Sequence, residues 1–134
     1  MKKMVASAET STEVLERLND EVLVERFSLT AKRLGSAVLD SDDRRANRAA
    51  HRIIAVRDAL RARGRESTMK LVPLLDDKDR FVRYYAAQQL LGLVPDRARA
   101  VIEWNAKFGF DALAGDAGMM LLDLDRGFYK PDQK

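Results

Sequence analysis

Apolar residues recur along this chain at intervals of three and four, and period-two alternation is never sustained. That spacing lines apolar side chains along one side of an α-helix, so it predicts helices throughout and no strands. A first short helix carries Val14, Leu15 and Leu18 behind a cap at Thr10, Ser11 or Thr12. A second begins at Asn19 or Asp20 and turns Val22, Leu23, Phe27, Leu34 and Val38 inward. The cluster Asp40, Ser41, Asp42, Asp43 ends it. Its carboxylates suit the start of the next helix, where backbone amides lack partners. The third helix spans 44–63 and stops at Gly64, with Ala46, Ala49, Ala50, Ile53, Val56 and Leu60 on one side. A short fourth covers 67–75, and Pro73 inside it removes an amide donor and kinks it. Asp79 caps a fifth over 80–94. Pro95 opens a sixth that reaches Phe108, with Val101, Ile102, Trp104 and Phe108 as its large apolar residues and Gly109 as its stop. A seventh covers 111–126 before Gly127. The aromatic stretch after it, Phe128 and Tyr129 before Lys130 and Pro131, predicts a tail folded back onto the body.

Aligned on itself, the chain superposes 50–62, 81–93 and 112–124 at a shift of 31 residues. Ala55, Ala86 and Ala117 coincide, as do Leu60, Leu91 and Leu122. Small residues let helices approach, and stacked hairpins bury faces that one hairpin leaves open. The expectation is an all-α, HEAT-like superhelix: a right-handed stack of about three helical hairpins made of six or seven helices. It occupies 20–131, with 1–19 as an extension or extra helix and 132–134 as a tail.

Composition narrows the chemistry. With no cysteine there is no disulfide, no thiol nucleophile and no cysteine-bound zinc. A lone histidine, His51, has no serine or cysteine nucleophile placed to complete a triad with Asp58. Asp76, Asp77 and Asp79 lack the glycine and terminal glutamate of a calcium loop, and no phosphate-binding glycine loop occurs. No apolar run approaches the roughly 20 residues of a membrane span, and the first residues lack the apolar core of a secretory signal. The expectation is a cytoplasmic, non-enzymatic protein without metal or cofactor. The net charge of +3 is uneven: residues 41–75 carry nine basic and four acidic side chains, while the segments on either side are each −1.

One stretch resembles a HEAT-type hairpin: the leucine helix Leu71, Val72, Pro73, Leu74, Leu75, the turn Asp76, Asp77, Lys78, Asp79, then Val82, Arg83 and the paired Ala86 and Ala87. The run Ala114, Gly115, Asp116, Ala117, Gly118, Met119, followed by Asp125, Arg126, Gly127 and Lys130, Pro131, resembles the C-terminal signature of a bacterial family of small HEAT-like proteins of unknown function. The resemblance covers roughly 20–131. It implies the fold, and it implies a role as partner or antidote beside a toxin. It implies no activity.

Three sets of residues are candidates for contact with a ligand. Phe81, Tyr84, Tyr85 and Gln88 share one side of the fifth helix, away from Val82, Ala86, Leu90 and Leu93. Facing outward they would form an aromatic binding surface; facing neighbours they would be core. Arg44, Arg45, Arg48 and Arg52 form a basic stripe, either a site for phosphates or an acidic protein, or a solvated face paired with Asp42, Asp43 and Asp58. Gly115, Asp116, Ala117 and Gly118 suit either a site or close helix packing with Asp116 as cap or arginine partner. Asp79 and Arg83 read as a cap and an ion pair. A protein partner leads, nucleic acid on the arginine stripe is the alternative, and a homodimer through Met119, Met120, Leu121 and Leu122 stays open.

Overall fold

The computed structural model describes residues 12–109 and 112–131, and every regular element among them is helical. Thr10 and Ser11, most of the 1–19 extension, Asp111 and the 132–134 tail lie outside the described residues. The chain forms two compact units, one up to Lys70 and one from Leu71 onward.

In the first unit, helix α1 (Thr12–Glu16) precedes two long helices, α2 (Asp20–Leu39) and α3 (Asp43–Ala62), and a single-turn helix α4 (Arg65–Met69). Capping sets these boundaries. The Asn19 side chain accepts from the Val22 amide at 2.9 Å, and Asp42 accepts from the Arg45 amide at 3.1 Å. Each satisfies a helix-start donor that has no intrahelical acceptor. Between α3 and α4 the chain turns at Gly64 with φ of +107°, a conformation that a side chain resists. Leu23, Phe27, Ala31 and Leu34 of α2 are buried, as are Ala49, Ile53, Val56 and Leu60 of α3, and the two helices pack along their length. Val22 and Val38 are half-exposed, flanking this stripe rather than centring it.

An electrostatic knot fastens the ends of the first unit. Asp20 accepts from Arg63 and from the Ser67 hydroxyl at 2.8 Å each, and pairs with Lys70 at 3.0 Å. Arg63 also donates to the carbonyls of Leu15 and Glu16, tying α1 to the end of α3. The Arg63 guanidinium, seconded by Ser67, holds the Asp20 carboxyl down at about 2. A carboxyl depressed on folding adds stability above its unfolded pKa near 4 and loses it as pH falls toward 2. Urea melts at descending pH therefore show a loss of at most about 2 kcal/mol in that window that Asp20→Asn lacks. Equal acid sensitivity in both proteins would contradict this.

Among the described residues of this unit, one buried side-chain group has no partner: the Thr68 hydroxyl of α4. Leaving a buried hydroxyl unbonded costs about 1 kcal/mol or more. Thr68→Val keeps the shape without the polar atom, so it stabilises the fold by about 1 kcal/mol, read as a higher urea midpoint with the m-value unchanged. A lower midpoint would mean that the hydroxyl is bonded in solution.

The second unit opens with a 3-10 helix (Val72–Asp76) and continues through α5 (Arg80–Leu90), α6 (Pro95–Phe108) and α7 (Ala112–Asp125). The proline expected to kink one helix over 67–75 instead divides that stretch: α4 ends at Met69, and Pro73 stands in the first turn of the 3-10 helix, where its missing amide costs nothing. Asp79 caps α5, accepting from the amides of Phe81 and Val82. The expected Asp79–Arg83 ion pair is replaced by a different contact. Arg83 donates to the carbonyls of Asp77 at 2.8 Å and Lys78 at 3.1 Å, closing the turn before α5. At the end of α7 the amides of Gly127 and Phe128 return to the carbonyls of Leu124 and Asp123, with Gly127 at φ of +75°. This left-handed stop is the one a terminal glycine serves.

Candidate functional site

Residues 45, 48, 49 and 52 stand at i, i+3, i+4 and i+7 of α3, hence one above another on a single helix edge. The 40–42 turn sends α2 back alongside α3, and Arg33 stands as far before that turn as Ala49 stands after it. Arg33, Arg45, Arg48 and Arg52 consequently line one notch of about 280 Å³ with the Ala49 methyl group among them. Three residues of the predicted stripe share this notch, and Arg44 lies off it. The missed member is Arg33, which the hairpin register alone could have supplied.

The four arginines differ in their pairing. Arg45 is fixed: its Nε donates to Asp42 at 2.9 Å, and it also binds Asp40. The Arg45 backbone amide and then its guanidinium hold the Asp42 carboxyl below its ordinary range. Arg33, Arg48 and Arg52 make no hydrogen bond or ion pair among the described residues, though Arg48 acts on Asp42 through its field. Asp43 and Asp58 do not serve as the expected partners, and Asp58 pairs with Arg57 instead. Elsewhere Arg17, Arg57, Arg63, Arg97 and Arg99 all have carboxylates. Like charges left unpaired at close quarters repel, so the notch is electrostatically primed for an anion.

The aromatic set of α5 requires correction. Phe81 is 4% exposed and Tyr84 1%, so neither forms an outward surface. Tyr85 is half-buried, stacked on Phe81 at 6.5 Å and edge-on to Tyr84 at 5.5 Å. The reason is that α5 is covered on more than one side: Val82, Ala86 and Leu90 are buried, and so is the side bearing Tyr84. Burial raises the Tyr84 phenol to about 12, against the opposing effect of its hydrogen bond with Gln88. Tyr84 and Gln88 instead adjoin a cavity of about 230 Å³, with Asp116, Met119, Asp123 and Tyr129 among its other walls.

The tail is divided in the same way. Tyr129 reaches this cavity, whereas Phe128 is 76% exposed and does not fold back. Gly115 and Gly118 face open space rather than a closely packed helix, and Asp116 lies inside α7 rather than at its cap. Trp104 and Phe108, placed among the large apolar residues of their helix, are exposed at 43% and 56%. They touch each other at 5.5 Å, with Arg83 over the indole and Lys107 over the phenyl ring. His51 is exposed, and no group of carboxylates and histidine suited to a metal occurs among the described residues.

A family model described as a domain of unknown function, DUF2019, matches residues 21–125. The chain belongs to this family. A solved structure, that of the protein RPA1889 from Rhodopseudomonas palustris CGA009, is similar to this DUF2019 chain at 30% identity and a TM-score of 0.82. The similarity covers 88% of this chain and 98% of that one. A search of curated proteins finds no significant match. Among the described residues of this family member, no helix is long and apolar enough to cross a membrane.

Proposed function

We propose that this DUF2019 chain is a non-catalytic binding module that takes an acidic segment of a protein partner into the arginine notch of its first unit. The observation that supports this reading is the convergence of Arg33, Arg48 and Arg52, none with a carboxylate partner, on one notch. Guanidinium forks match carboxylate oxygens in pairs, and arginine is the residue that most often anchors such contacts. Reading the helical hairpins as a HEAT-like stack is part of the same proposal. An antidote or regulator role for a neighbouring gene product is its finest form, and requires that the bound segment be the partner's working surface.

Nucleic acid is the alternative ligand. From Arg45 to Arg52 the helix advances only about 10 Å, at about 1.5 Å per residue. That length spans about three phosphates of one strand at about 3.4 Å each, too few for firm backbone binding. Fluorescence anisotropy with a short labelled oligoglutamate peptide and with a labelled DNA oligonucleotide separates the two. The proposal expects saturable binding of the peptide that persists at physiological salt. DNA binding that collapses steeply with salt, with no peptide binding, would replace it by the nucleic-acid reading.

A further inference from the structure

The charge balance of the notch says more than that its ligand is acidic. Four guanidiniums line it, and the two carboxylates that bind Arg45 belong to Asp40 and Asp42. Two positive charges are left uncompensated over this cluster. One carboxylate would neutralise half of that excess, whereas a phosphate monoester, with close to two negative charges near neutral pH, would neutralise it all. Oxygen count argues in the same direction. Arg33 stands on α2 and Arg48 and Arg52 on α3, so donor forks reach the notch from two helices. A planar carboxylate presents two oxygens to one fork, while a tetrahedral phosphoryl group presents three around its axis. The notch also has room for more than a bare ion. A water needs only about 10–15 Å³ of such space, and the notch offers about 280 Å³. That leaves room for the phosphoryl group and for the side chain that carries it. The paired Arg45 forms a fixed wall, and the unpaired three are free to close on the ligand without first breaking an ion pair.

We infer that the acidic group seated among Arg33, Arg48 and Arg52 is a phosphate monoester dianion carried on a partner's side chain. The inference rests on the acidic-partner reading above and narrows it. Recognition of this kind makes binding conditional on the partner's phosphorylation, because the unmodified hydroxyl offers the notch no charge.

Isothermal titration of the full chain with three probes tests it: a peptide bearing one phosphoserine, the same peptide with glutamate at that position, and inorganic phosphate. The phosphopeptide is expected to bind about tenfold or more tightly than the glutamate peptide. Inorganic phosphate is expected to be weaker than the phosphopeptide and to compete with it. Arg48→Glu with Arg52→Glu is expected to remove the preference, with circular dichroism showing the helices intact. Equal affinity for the two peptides would overturn the inference and leave the acidic-partner reading standing. Inorganic phosphate binding as tightly as the phosphopeptide would overturn the side-chain assignment. Binding by none of the three would end both readings.

Discussion

Tyr84→Ala destabilises the second unit by about 3–5 kcal/mol, the usual cost of removing a large buried aromatic ring. Tyr84 is 1% exposed and packs edge-on against Tyr85, so truncation leaves a cavity that the surrounding helices fill only in part. Tyr84→Phe removes only the hydroxyl and its hydrogen bond with Gln88, a change of about 0.5–1.5 kcal/mol. Tyr85→Ala, at a half-buried position, falls well short of the Tyr84→Ala cost. Urea unfolding of the three variants orders them. A Tyr84→Ala protein as stable as the parent would mean that the ring faces solvent, and the aromatic surface expected from sequence would return as a candidate site.

The second large effect concerns binding rather than stability. Arg48→Glu combined with Arg52→Glu is expected to weaken the acidic ligand by at least about 100-fold, or about 3 kcal/mol at about 1.4 kcal/mol per tenfold. Stability is expected to stay within about 0.5 kcal/mol, because these side chains support no hydrogen bond of the fold among the described residues. Arg44→Glu makes the same charge change per residue, off the notch, and is expected to shift affinity by no more than a few-fold, the reach of a screened charge. Equal losses at Arg44 and at the notch pair would show that general positive charge, and not the notch, draws the ligand.

Most of the fold was legible in the sequence because local chemistry set it. Asn19 or Asp20, the acids of the 40–43 cluster, and Asp79 announced three helix starts, and the side chains that accept from the first amides are those of Asn19, Asp42 and Asp79. Gly64 and Gly127 announced two ends, and both take the left-handed conformation that favours glycine. What the sequence left open was which faces of a helix are covered. Period 3.6 identifies an apolar side but gives no sign that a helix is covered on two sides, and Phe81 and Tyr84 of α5 lie on the second one. The internal repeat misled in the opposite sense. Ala86 and Ala117 share their burial, and Leu60 and Leu91 are buried, yet the equivalent Leu122 of the last helix is 43% exposed. Among the described residues no further helix covers the outer side of α7, and Leu122 lies at the surface there. Trp104 and Phe108 of α6 are exposed, and Arg83 and Lys107 stand over their rings in cation–π contacts outside the core.

The candidate site was legible only in part, again for a physical reason. The α3 arginines share an edge by helical spacing, which sequence gives directly. The fourth wall, Arg33, comes from another helix and enters only through the pairing of α2 with α3. Nor does spacing tell which carboxylates pair with which guanidiniums. Asp42 takes Arg45, Asp58 takes its neighbour Arg57, and the remaining notch arginines are left without an acid.

The most direct measurement is arginine Nε–Hε NMR of the full chain during titration with an acidic peptide. The account predicts shifts concentrated at Arg33, Arg48 and Arg52, with Arg44 and Arg61 still. Shifts spread evenly over all exposed arginines, or centred on Arg83 beside Trp104, would contradict it and move the binding site out of the notch.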